Sequence, residues 1–203
     1  MVLLAIAFGG GGIAAHRRDE YLQASRLAID PARVEIVLDL TPGIAVAEQV
    51  LADVDSNHDH AISPAEATAY ASRVMETIAL DVDGAPLRLE LGDRTFPARE
   101  AMLNGEGTMR IRASASMPEL SAGVHHLHYR NTHRPDLGVY LANALVPESP
   151  RIRITGQERD VDQRALTVDY ELRDAPVSLV PGLAAGVVAA AIWLAIARAR
   201  RAV

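Results

Sequence analysis

Oxygen-bearing side chains recur at every second position from Asp55 to Asp59, and return at Ser63 and Glu66. The stretch reads Asp-Ser-Asn-His-Asp-His-Ala-Ile-Ser-Pro-Ala-Glu. Asp55, Asn57, Asp59, Ser63 and Glu66 make an ordered set of hard oxygen donors. A hard divalent cation such as Ca²⁺ takes six to eight oxygens at about 2.3–2.6 Å, and the alternation lets one tight turn wrap them around a single point. The end of the stretch admits a second reading as a helix start, with Ser63 as N-cap, Pro64 in the first turn and Glu66 completing a capping box. That reading leaves Asp55, Asn57 and Asp59 and their spacing unexplained.

In residue type and order, positions 55–66 resemble the EF-hand calcium-binding loop, and the resemblance covers this loop with its flanks. It implies a Ca²⁺ ion held by Asp55, Asn57, Asp59, Ala61, Ser63 and Glu66. The sequence departs from the family at one place, where the glycine of the sharp turn is His60. Histidine is among the residues enriched in the left-handed region, so the turn is strained and weaker binding is expected.

A loop of this kind needs a helix on each side. Val46, Val50 and Leu51 before it, and Ala67, Tyr70, Ala71, Val74 and Ile78 after it, recur at helical spacing. They predict a helix–loop–helix insertion over 44–79.

The remaining body predicts short strands. Val34, Ile36, Leu38 and Leu40 alternate with polar neighbours after a turn at Asp30-Pro31, and Met109, Ile111, Ala113 and Ala115 do the same. Gly84-Ala85-Pro86 marks a hairpin between 80–83 and 87–91, and a strand begins near Thr95. Further strands are expected over 20–29, 124–131, 139–146, 151–155 and 166–172. Many short strands with turns between them predict a mainly β fold, an antiparallel β-sandwich over 16–174 carrying the insertion.

Hydrophobic residues make up 49% of the 203, charged residues 23% and aromatic residues 4%, so the chain is globular and its core is expected from Val, Leu, Ile and Ala. It holds no cysteine, which excludes disulfides, thiolate metal sites and a cysteine nucleophile. Three arginines (Arg198, Arg200, Arg201) sit in the tail, beyond the last acidic residue, so the body is more acidic than the net charge of −6. An acidic body argues against nucleic acid and suits cations.

The two ends suggest a location. Residues 1–15 are apolar and glycine-rich and end in Ile13-Ala14-Ala15, as a secretory signal peptide does. From Val177 to Ala197 no charged residue occurs, and the length matches a single transmembrane helix. The basic residues of 198–203 then stay in the cytoplasm, leaving the body extracytoplasmic, in the periplasm or at the cell surface. Gly182 and Gly186 have the spacing of a helix-dimer face, so a homodimer is expected there, together with an unidentified membrane-protein partner.

Histidines offer an alternative chemistry. His126 and His128 share one face of a strand and His133 follows in a turn, a set suited to Ni, Co, Cu or Zn. The competing reading has Leu127 and Tyr129 facing the core while the histidines decorate the polar face. His16, if cleavage falls after Ala15, becomes an N-terminal chelator. Ala15-His16, Tyr21-Leu22 and the acidic helix–loop–helix are also similar, in order, to the extracytoplasmic domains of bacterial nickel/cobalt and HupE/UreJ-like permeases. A single span departs from a permease, so the resemblance implies an accessory role in nickel, cobalt or copper handling. The sequence contains no glycine-rich phosphate loop, nucleophile elbow or zinc-type histidine pair on a helix, and no enzyme activity is expected.

Overall fold

The structure is a computed structural model, and it describes residues 20–175. Ten strands and three helices follow one another: β1 (Tyr21–Ile29), β2 (Arg33–Pro42), α1 (Ala47–Val54), α2 (Pro64–Glu76), β3 (Ile78–Val82), β4 (Ala85–Pro86), β5 (Glu90–Thr95), α3 (Arg99–Leu103), β6 (Met109–Ser116), β7 (Gly123–Asn131), β8 (Gly138–Ala144), β9 (Ile152–Arg159) and β10 (Ala165–Leu172). They form two five-stranded sheets, ordered β5-β6-β2-β1-β8 and β4-β3-β7-β10-β9. Strict alternation of buried and half-buried residues along β1, β2 and β10 explains these elements, because each strand gives one face to a shared core.

Leu27, Ile36, Leu38, Leu40 and Ile111 from the first sheet meet Leu80, Leu127, Leu166 and Val168 from the second in one buried cluster. The core departs from the expected aliphatic one, since Tyr21, Tyr70, Tyr129 and Tyr170 are among its largest fully buried side chains. Their hydroxyls need partners. Tyr21 and Tyr70 hydrogen-bond each other at 2.8 Å, and Tyr129 bonds Ser25 at 2.6 Å. The Tyr170 hydroxyl has no partner among the described residues.

Every strand pair is antiparallel except β1 with β8, which runs parallel from Tyr21↔Gly138 to Leu27↔Ala144. The purely antiparallel expectation is thereby corrected. The chain leaves β7 in the second sheet, loops through residues 132–137 and enters the first sheet beside β1. Gly138 permits this entry: a Cβ there would stand 2.7 Å from both Gln23 Nε2 and the Tyr140 hydroxyl. The hairpin at Gly84 also differs from expectation. Its second arm, β4, is two residues long, and the chain then crosses so that β5 pairs with β6 in the other sheet. Helix α3 follows, where the sequence showed no period. The helical insertion ends at Glu76, and Ile78, expected on the helix, opens β3.

The exposed edge of β8 is covered by side chains from β9. The Gln157 amide accepts from Ala144 N at 3.1 Å and donates to Ala144 O at 3.4 Å, and Arg159 Nε donates to Ala142 O at 2.7 Å. An uncovered edge is a template for pairing with another chain. The Gln157→Ala/Arg159→Ala variant is therefore expected to shift toward higher-mass species than the wild type in sedimentation velocity. Identical profiles would rule out an edge-guarding role.

The segments assigned from sequence to a signal peptide, a transmembrane helix with Gly182 and Gly186, and a basic tail lie outside the described residues, as does His16. Among the described residues, no helix is long and apolar enough to cross a membrane.

Candidate metal centre

Residues 55–66 join α1 to α2, and the local chemistry of both helix ends sets their course. Helix α2 begins with a complete capping box: Glu66 N donates to Ser63 Oγ, and the Glu66 carboxylate receives the Ser63 backbone N–H at 3.0 Å, with Pro64 in the first turn. Arg73 in its last turn complements the helix dipole and donates to the Asp53 carbonyl at the end of α1, at 2.6 Å. Two neighbouring positions turn the chain sharply, His58 with φ +60° and His60 with φ +66°. His60 thus adopts the conformation for which the EF-hand resemblance requires glycine; His58 adds a second residue of the same kind that the sequence did not announce.

Each side-chain donor expected from sequence takes part in a local network, and Ala61 joins it through its N–H. One oxygen of Asp55, a buried residue, accepts from His60 N at 2.9 Å and the other from Asp59 N at 3.2 Å. Asn57 Oδ1 accepts from Asp59 N, and Asp59 Oδ1 accepts from Ala61 N, both at 2.9 Å. The Asn57 amide nitrogen donates to Asp59 Oδ2 at 2.9 Å.

Glu66 spans the loop. Its Oε1 accepts from Ser56 N at 2.9 Å, the Ser56 hydroxyl at 3.2 Å and Asn57 N at 3.3 Å, while Oε2 accepts from Ser63 N and from the Ser63 hydroxyl at 2.8 Å. These donors, led by the Ser63 backbone and hydroxyl, hold its carboxyl down at about 2. Both readings of this stretch therefore meet in one side chain, which caps α2 and clamps the loop's first residues to its last.

The donor set is all oxygen, the donor type that a hard cation takes. Carboxylate oxygens that accept one N–H keep a further lone pair for a cation. The carboxylates here are turned onto backbone N–H groups, and among the described residues no three His, Cys, Asp or Glu gather around one point as a metal cage would.

The helix pair is fixed to the sheets by a cluster that sequence reasoning missed. The Tyr70 hydroxyl on α2 bonds Tyr21 on β1 and lies 3.0 Å from His133 Nε2 in the β7–β8 loop. Arg134 pairs with Asp53 on α1 and with Asp136. His133 is buried, its backbone N–H donates to Asn131 Oδ1, and its carbonyl accepts from Gln23 and Tyr140. Burial, reinforced by the Arg134 charge, pushes its imidazole down to about 4. No local motif marks this cluster, because its members are scattered along the chain, Tyr21 and His133 lying 112 positions apart.

The other histidines divide. Leu127 and Tyr129 face the core, as one sequence reading had it, and His126 and His128 are exposed. His133, expected in an open turn with them, is buried elsewhere, and His125 is buried too. His125 Nδ1 lies 2.7 Å from Asp83 Oδ2 and Nε2 lies 2.8 Å from the Ser121 carbonyl. Burial opposes its charge, yet the bonds to Asp83 and Ser121 and the Asp83 charge prevail and raise its pKa. His125, His126, His128 and His133 are thus not brought together as one site. Comparison with protein-family models, with curated proteins and with solved structures finds no match.

Proposed function

We propose that this chain is a membrane-anchored, extracytoplasmic, non-enzymatic β-sandwich protein whose EF-hand-like loop binds one Ca²⁺ through Asp55, Asn57, Asp59, the Ala61 carbonyl, Ser63 and Glu66. The carrying observation is the path of the loop: its alternating oxygens follow a turn with His60 at positive φ, and Glu66 already ties start to end. Ca²⁺ would take over that clamp and lock α1 against α2, a mainly structural role. Affinity belongs to the weak extracellular class, about 10⁻⁴–10⁻³ M, because the ion competes with hydrogen bonds the loop already makes and with a strained His60. The anchor rests on the uncharged stretch from Val177 to Ala197, which begins two residues beyond the described chain.

Calorimetric titration of the protein with Ca²⁺ tests the reading. One ion per chain is expected for the wild type, and Glu66→Ala is expected to weaken binding at least about 100-fold, since the loop loses its only bidentate ligand. Calcium binding that survives both Asp55→Ala and Glu66→Ala would place the ion elsewhere and end this assignment.

A further inference from the structure

The outer face of the second sheet carries a histidine pair that the calcium loop does not use. His126 and His128 stand two apart on β7, so their side chains leave the same face. Each is tied to the residue directly opposite on β10, in the register His126↔Asp169 and His128↔Thr167. His126 Nδ1 lies 2.7 Å from Asp169 Oδ1, and His128 Nδ1 lies 3.0 Å from Thr167 Oγ1.

An imidazole whose Nδ1–H donates to a carboxylate carries its lone pair on Nε2. His126 therefore has its lone pair on Nε2, while His128 has Nδ1 engaged by a hydroxyl that can donate or accept, and both rings lie on an exposed surface. The neighbourhood suits a cation. Asp81 pairs with His128 from the β3 side, and Glu158 pairs with Thr167 from β9. Gly156 makes room for Asp169: a Cβ there would sit 3.0 Å from Asp169 Oδ2 and crowd the carboxylate.

We propose that His126 and His128 chelate one borderline divalent transition-metal ion (Zn²⁺, Ni²⁺ or Cu²⁺) through their Nε2 atoms, with Asp169 as a positioning residue that fixes the His126 tautomer. Imidazole suits these ions, and a carboxylate behind a ligating histidine raises its basicity and holds its orientation. Residues i and i+2 of a strand are separated by about 6.5 Å, which two rings leaning toward one another can bridge with a single ion. The remaining coordination positions stay open to water. The site shares no residue with the calcium loop, and neither assignment depends on the other.

The test uses the full-length, untagged protein in detergent, titrated with Ni²⁺ alone and separately with Zn²⁺. One ion per chain is expected. His126→Gln and His128→Gln should each weaken binding at least about tenfold, and Asp169→Asn about 10–100-fold. Asp169→Glu, which keeps the accepting carboxylate, should recover most of that loss, whereas a purely structural role would give no such rescue. His58→Gln/His60→Gln should bind as the wild type does. The proposal is overturned if the wild type takes up neither ion, if the His126→Gln/His128→Gln variant binds normally, or if the His58→Gln/His60→Gln change abolishes uptake.

Discussion

Lowering the pH from about 7 to about 4.5 is expected to remove about 2–3 kcal/mol of folding stability through His133 alone. In the folded chain its imidazole is pushed from the ordinary 6.5 to about 4, first by burial and then by the charges of Arg134 and Arg73, with Asp53 and Asp136 opposing. The sign follows from proton uptake. Between those two values the unfolded chain binds a proton at this residue and the folded chain does not, so stability is full above 6.5 and falls as the pH drops toward 4. Denaturant titrations at several pH values read the effect. His133→Gln is expected to flatten the stability profile between about pH 7 and 5 whatever it does to stability at pH 7. An unchanged slope in that variant would sink the argument. His125 works in the opposite sense: its raised pKa gives stability that is complete below 6.5 and is lost as the pH rises through the folded value. Glu66 adds a separate acid loss, beginning below 4.5 and extending to about 2.

The second large effect is expected at Gln23. This side chain is fully buried on β1, donates to the His133 carbonyl at 2.7 Å and accepts from Asn131 Nδ2 at 2.9 Å. Leucine has similar volume but neither group. In Gln23→Leu the His133 carbonyl keeps its bond from Tyr140, while the buried Asn131 amide loses its acceptor. An orphaned buried donor together with the lost bonds is expected to destabilise by about 2–4 kcal/mol. Because Asn131 suffers most of the damage, Gln23→Leu/Asn131→Leu should cost less than the sum of the single changes in urea denaturation. Strict additivity would show that the two amides do not act as a unit.

Local chemistry made part of this protein legible. Alternation found β2 and β6, because each has one face on the core, and the capping box at Ser63 and Glu66 was readable because all its partners lie within four residues. The left-handed turn at His60 followed from the EF-hand resemblance, which puts the family's glycine there. What stayed hidden depends on distant partners. A polar residue such as His125 reads as surface until Asp83, brought beside it from the β3–β4 turn, accepts its hydrogen bond. His133, Gln23 and Asn131 are buried polar groups made tolerable only by one another and by the tyrosine hydroxyls. Helix α3 has five residues and no side-chain cap, too little for a period to show. The parallel pairing of β8 leaves no mark in its alternation, because an edge strand of either direction presents the same face pattern.

The pairing of β1 with β8 also sets an order of events during synthesis. Strand β1, the first of the described residues, has β2 on one side as soon as residue 42 is made, but its other side is filled only by residues 138–144. Most of the described chain, through residue 144 of 20–175, must therefore exist before the first sheet can close. Until then the β1 edge is open to pairing with another nascent chain, the exposure that makes non-local β topologies slow to fold and prone to aggregate.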